Sequence, residues 1–229
     1  MSAIALIPAR GGSRRIPRKC VRSFAGLPMI AHPIKIAQAS GLFDRIIVST
    51  DDAEIAEVAE SFGAEVPFVR PAGLADDHTP IIEVVRHTIR ELQVQGVEFE
   101  FLCRIFATAA LLLPEDLKAG FERMQLGAPF AMGIKAFPHP VERRLALSHG
   151  GQVAMVNPEH FAVRTQDLSA TYYDPGQVCW GTSESFLTDL APLLTPGTQG
   201  VVLPNYRGLD IDDEDDWRLA EAVFMHCMR

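Results

Sequence analysis

Ile4-Ala5-Leu6-Ile7-Pro8-Ala9-Arg10-Gly11-Gly12-Ser13-Arg14-Arg15-Ile16-Pro17-Arg18-Lys19 is the stretch on which the fold turns. Ile4–Ile7 is short, apolar and stopped by Pro8, which predicts a buried strand. The loop that follows sets five cations, Arg10, Arg14, Arg15, Arg18 and Lys19, around a glycine pair. In an open α/β sheet, ligands bind outside the carboxyl ends of the strands, and this is the first such end. Glycines let backbone N–H groups approach a phosphate closely, and the cations offset the charge of a polyphosphate. A charge run is ordinarily a solvated face. One that coincides with a strand end, a glycine pair and a first βα connection reads as an anion cradle.

Outward from this stretch, short apolar runs alternate with helical patterns. Arg45–Ser49, Glu65–Val69, Phe101–Phe106 and Phe130–Ile134 read as further strands. Asp52 is a good N-cap for a helix over Ala53–Phe62 that closes at Gly63, and Thr79-Pro80 opens another over Ile81–Gln95. Pro114-Glu115-Asp116 starts a third, ending near Gly127. Pro33 falls within Met29–Ala39, so the helix there begins later than Pro28 or bends at the proline. Strand, helix, strand repeated through residue 137 predicts a doubly wound α/β fold, a mostly parallel sheet with helices on both faces. From Pro138 to about Tyr173 the pattern changes to short extended pieces, Arg143–Leu147 and Gln152–Val156, joined by Ser148-His149-Gly150-Gly151; this reads as a hairpin excursion. Strands at Gly176–Trp180 and Val201–Leu203 and a helix from about Asp213 to Met225 return to the α/β pattern. The expectation is one domain over residues 1–229, with 138–173 as an excursion within it.

Composition bounds the function. The 229 residues are 48% hydrophobic and 22% charged, a soluble globular composition, and the net charge of −8 argues against general affinity for nucleic acid or anionic membrane. Cys20, Cys103, Cys179 and Cys227 lie far apart with no C-x-x-C pair, which points to reduced thiols in a cytoplasmic setting rather than a zinc knuckle or disulfide framework. The first residues lack the basic flank of a signal peptide. Ile105–Leu113 is about half the ~20 residues of a membrane-spanning helix.

The loop after the first strand carries neither G-x-G-x-x-G nor G-x-x-x-x-G-K-[ST], which disfavours dinucleotide binding and Walker-type NTPases. What remains is a nucleotidyl- or glycosyl-transferase style of phosphate loop. A second constellation, Leu209-Asp210-Ile211-Asp212-Asp213-Glu214-Asp215-Asp216-Trp217, precedes the last helix. In an extended segment Asp210 and Asp212 point to one side, as needed to share one hard cation with substrate phosphates; Mg²⁺ is the natural candidate. Asp213 to Asp216 read as helix capping.

At these residues the chain resembles the acylneuraminate cytidylyltransferase family, whose hallmark I-P-A-R-G-G-S-K-x-I-P-x-K-N matches Ile7 to Lys19 with Arg14 for the usual lysine and Cys20 for the asparagine. The family's late D-x-D metal motif falls on Asp210 and Asp212. Val48-Ser49-Thr50-Asp51-Asp52 resembles its second strand end. Arg70-Pro71, followed by Ala75 to Pro80, lies where the family closes over the base, with Arg70 and Thr79 as the contacts. The family's Q-P-T-S-P-L appears as Phe106-Ala107-Thr108-Ala109-Ala110-Leu111, without the glutamine and second proline. That departure, with Arg164-Thr165-Gln166-Asp167-Leu168 and Asp174-Pro175-Gly176-Gln177, is most like the pseudaminic acid branch.

The resemblance implies transfer of CMP from CTP to a nonulosonic acid, with release of pyrophosphate. Arg10, Gly11, Gly12, Ser13 and Lys19 would hold the triphosphate, Arg10 and Lys19 acting on the reacting phosphates. Arg164, Gln166, Asp174 and Gln177 would hold the sugar, Arg164 offering two donors to its carboxylate. A homodimer through the excursion is also implied. Synthetases for N-acylneuraminate, legionaminate or Kdo, a nucleotide-sugar glycosyltransferase and a non-catalytic nucleotide binder are the competing readings.

Overall fold

The computed structural model describes residues 2–188 and 194–228. Its elements, in chain order, are β1 (Ala3–Pro8), β2 (Ser23–Phe24), β3 (Leu27–Pro28), α1 (Ala31–Ser40), β4 (Arg45–Ser49), α2 (Ala53–Ser61), α3 (Ile81–Val94), β5 (Phe101–Ile105), α4 (Pro114–Gln125) and β6 (Phe130–Ala136). β7 (Leu145–Leu147), β8 (Val153–Met155), β9 (Tyr172–Tyr173), β10 (Val178–Thr182), α5 (Ser183–Leu187), β11 (Gln199–Val202) and α6 (Glu214–Cys227) complete them.

The main sheet has the order β11-β6-β10-β5-β1-β4. β1 pairs parallel with β4 and β5, and β11 parallel with β6, while β10 runs antiparallel between β5 and β6. Residues of β1 alternate between two cores. Ala3, Ala5 and Ile7 join Ile34 and Ala37 of α1, Ile55 of α2 and Leu117 of α4 on one face. Ile4 and Leu6 join Val85, Ile89 and Leu92 of α3 and Phe186 of α5 on the other. That two-sided burial is why these strands are nearly all apolar. A third cluster at one end joins Ile16 and Phe24 to Ile211 and Trp217, tying the basic loop to the start of α6.

Several local choices follow from single residues. Pro33 sits in the first turn of α1, where the missing N–H has no helical partner to lose, so the helix runs straight through it. Asp52 accepts from the Ile55 N–H and caps α2. Gly120 lets α4 approach β10: a Cβ there would lie 2.5 Å from the Trp180 ring.

Two sequence expectations are corrected. Glu65–Val69 is not a strand but makes two isolated bridges, Ile47 to Glu65 and Thr50 to Val69, because Pro67 between them has no N–H to continue a ladder. The strand expected at Gly176–Trp180 is displaced to Val178–Thr182 and is the antiparallel member of the sheet. The excursion does contain the hairpin, β7 paired with β8, standing off the main sheet. Among the described residues no helix is long and apolar enough to cross a membrane.

Candidate active site

The carboxyl ends of β1 and β5 open onto a cleft of about 480 Å³. Arg10, Ser13 and Lys19 line it from the loop after β1, Arg70 and Asp77 from the segment before α3, and Phe106 from the end of β5; Asp212 closes it.

The basic loop is pinned by acids drawn from across the sequence. The Gly11 N–H donates to Asp51 Oδ1 at 3.0 Å, and a Cβ on Gly11 would meet Asp52 Oδ2 at 2.6 Å, so only glycine passes here. Above Gly12 a Cβ would meet nothing within 4 Å, which is room for a ligand atom. Arg10 pairs with Asp77 at 2.5 Å and Arg14 with the same carboxylate at 3.0 Å. Arg18, in the left-handed region at φ +54°, binds Asp52 and Glu54. Arg15 reaches Asp212 at 2.6 Å, and Lys19 donates to the carbonyl of Ile211 at 2.6 Å, the residue between the two candidate metal ligands. The phosphate-loop candidates and the Asp210–Asp212 segment are therefore brought together, though 190 residues separate them in sequence.

The electrostatics match this arrangement. The Arg10 hydrogen bond holds the Asp77 carboxyl below the ordinary carboxylate range, and Arg18 does the same to Asp52. Asp210 is raised, first by partial desolvation and then by the charge of Asp212, with Lys19 pulling it back. A carboxyl raised by a neighbouring carboxylate stands where positive charge is short.

Arg70 is buried, and its Nε donates to Ser49 Oγ at 3.1 Å while Nη2 donates to the Ser49 carbonyl. Thr79 is not on the cleft wall. Its hydroxyl is held in the loop by Asp76 Oδ1 at 2.7 Å and the Gly73 carbonyl at 3.2 Å. Cys20, in place of the family's asparagine, is a buried cleft residue whose thiol is pushed up to about 11 by burial, a neutral thiol in a cationic loop.

On the other side of β5 the residues expected to meet a sugar are dispersed. Arg164 gives one edge, Nε and Nη2, to Asp167, at 2.7 and 2.9 Å, and with Gln166 stands exposed on the excursion. Asp174 accepts from the Gly176 N–H at 2.8 Å. Gln177 is fully buried, and its amide nitrogen bonds the carbonyls of Pro175 and Leu209 at 3.0 and 2.9 Å, clamping β10 to the segment that ends in Asp210. Its donors are therefore used within the scaffold, and only Oε1 lacks a partner. Sequence reasoning passed over Arg104, 2% exposed on β5. The signal was a lone charge inside the apolar run Phe101–Ile105.

A family model described as cytidylyltransferase matches residues 4–138. A pseudaminic acid cytidylyltransferase of Campylobacter jejuni is 38% identical over 98% of this chain and 97% of that protein. The chain belongs to the cytidylyltransferase family. It is thus an enzyme, a nucleotidyltransferase. A CMP-N,N'-diacetyllegionaminic acid synthase of Legionella pneumophila is 30% identical over 97% of this cytidylyltransferase and 96% of that protein. Among solved structures, a CMP:2-keto-3-deoxy-manno-octonic acid synthetase complexed with CTP superposes with a TM-score of 0.70 at 17% identity, covering 98% of this chain and 99% of that one. At that identity the likeness establishes the α/β fold of this cytidylyltransferase and leaves its substrate to other arguments.

Proposed function

We propose that this cytidylyltransferase activates a nonulosonic acid, pseudaminic acid in the first place, by attack of the anomeric hydroxyl on the α-phosphorus of CTP with departure of pyrophosphate. The observation that carries the reading is the joining, in one cleft, of the glycine-bearing cationic loop to the Asp210–Asp212 segment through Arg15 and Lys19. Near-full-length identity to pseudaminic acid cytidylyltransferases supports the sugar.

Phosphoryl-type transfer depends mainly on positioning and on neutralising charge. Gly11, Gly12 and Ser13 would cradle the triphosphate, with Arg10 and Lys19 against the α-phosphate and the departing pyrophosphate. Arg10 exchanges Asp77 for phosphate at small cost, since exposed ion pairs are worth only about 0–1 kcal/mol. Arg70 and Thr79 stand on the segment that would cover the cytosine. Arg164, Gln166 and Asp174 would meet the outer hydroxyls of the sugar, and Gln177 one hydroxyl through Oε1.

Asp210 and Asp212 would hold Mg²⁺. Desolvation, and after it the charge of Asp212, raises Asp210, and a divalent cation would offset both. These two carboxylates would hold the cation from the protein side, with oxygens of the substrate phosphates as its further ligands. Such a cation supplies charge neutralisation on the phosphates and acidifies a hydroxyl near them. The hairpin and the 3₁₀ turns after it leave Leu145, Leu147, Val153 and Phe161 60–74% exposed, an apolar face suited to a second copy of the chain. Pyrophosphate release from CTP with a panel of nonulosonic acids tests the activity. Sugar-independent turnover, or none with any nonulosonic acid, would refute it.

A further inference from the structure

Arg104 is a buried cation without an acidic partner among the described residues. It is 2% exposed on a central strand, and its Nε and Nη2 are out of solvent without a hydrogen-bond partner. Its guanidinium carbon lies 4.4 Å from the centroid of Phe106, whose ring lines the cleft. A cation–π contact of this kind offsets only part of the desolvation of a buried charge. An unpaired buried guanidinium persists in a fold when a ligand completes it.

The register says which ligand. Arg104 faces Leu6 on one side and Cys179 on the other, and at the next ladder position the Phe106 N–H donates to the Gln177 carbonyl. The Cys179 thiol, pushed up to about 12 by burial, is drawn down by Arg104 and up again by Asp174, so both charges stand close to it. Arg104 thus adjoins the 174–177 segment, away from the phosphate loop, where every cation already has an acid or carbonyl. Two orphaned groups stand on nearby ladder positions there: planar donors on Arg104, and an acceptor, Gln177 Oε1. A sugar acid presents the complement of both, a planar carboxylate and hydroxyls.

We propose that Arg104 is the carboxylate anchor of the sugar acid, reached when the half-buried Phe106 ring turns aside. The proposal rests on the activity inferred above and replaces Arg164, which stands exposed on the excursion in a pair with Asp167 and does not line the cleft, in that role.

The test compares Arg104→Met and Arg104→Lys with the wild type, using CTP and either pseudaminic acid or its carboxamide and measuring pyrophosphate release. The wild type should prefer the acid; Arg104→Met should raise the sugar KM and cut kcat/KM for the acid by roughly 10- to 100-fold, the value of hydrogen bonds to a charged group. The carboxamide rate and the CTP KM should stay as they are, so that the acid-to-amide ratio approaches one. Arg104→Lys, a point charge without the fork, should fall between and serves if the methionine variant misfolds. The thermal midpoint of ligand-free Arg104→Met should rise, because an uncompensated charge has gone. An unchanged acid-to-amide ratio in both variants would overturn the proposal, and a lowered midpoint with equal losses on acid and amide would make Arg104 structural. If the wild type turns over no nonulosonic acid, the activity itself is misread and the proposal falls with it.

Discussion

The two walls of the cleft treat positive charge in opposite ways. On the loop after β1, Arg10, Arg14, Arg15, Arg18 and Lys19 are each held by an acid or a carbonyl, and the pairs remain open to water. Behind the wall that Phe106 forms past the end of β5, Arg104 is buried with two nitrogens unpaired. Exposed pairs exchange partners cheaply, so the loop is preorganised and yet free to hand its cations to phosphate. A buried unpaired charge costs stability until its ligand arrives. The difference teaches that one wall is built to accept a multiply charged, variable polyphosphate, and the other a single group of fixed shape.

The largest test of this contrast is removal of a loop cation that touches the reacting phosphates. Lys19→Ala is expected to lower kcat by about 10²–10³-fold, the range for one preorganised donor, with pyrophosphate release as the readout. A comparable loss should follow Asp212→Asn, together with a steep rise in the Mg²⁺ needed for half-maximal rate. Next comes Gly11→Ala. Its Cβ would overlap Asp52 and push that carboxylate off Arg18, costing about 1–3 kcal/mol of stability by thermal unfolding, in the range of ordinary overpacking.

Smaller effects sharpen the contrast. Arg164→Ala breaks an exposed pair and should change the sugar KM by less than about 5-fold, against the larger loss at Arg104. Asp52 and Asp77 have carboxyls lowered by Arg18 and Arg10, so their stabilisation is complete above the ordinary carboxylate range and is lost as pH falls through the lowered values. Asp77→Asn should lower the unfolding midpoint slightly near neutrality and flatten that acid decline, the two proteins converging at low pH, as read from unfolding midpoints across pH. Leu147→Glu with Phe161→Glu should give monomers by sedimentation if the exposed hairpin face binds a second copy.

Much of this architecture was legible in the chain because its strands and helices obey local rules. The Ile4–Ile7 strand, the Asp52 cap and the Thr79-Pro80 helix start each depend on neighbours in sequence. β2 and β3 escaped notice because they are two residues each, joined at Ala25 and Gly26 in positive φ, where Ala25 gives no cue. The direction of β10 was hidden for another reason: it enters between β5 and β6 after a long excursion, and strand direction is a tertiary choice. At the site, Gly11, Lys19 and the Asp210–Asp212 pair were visible as motifs, and of these Lys19 and Asp212 line the cleft. Thr79 and Gln177 looked like binding residues, but their hydrogen-bonding groups are largely used within the fold. Arg104 was masked by the apolar strand around it.

The most direct measurement is pyrophosphate release by the purified enzyme with CTP and Mg²⁺, using pseudaminic acid in one reaction and N-acetylneuraminate in another. Release with pseudaminic acid alone is the predicted result. Release with N-acetylneuraminate alone would contradict the sugar assignment and keep the mechanism, while silence with both, in a protein that still binds CTP, would contradict the account of the cleft as a site for nonulosonic acid activation.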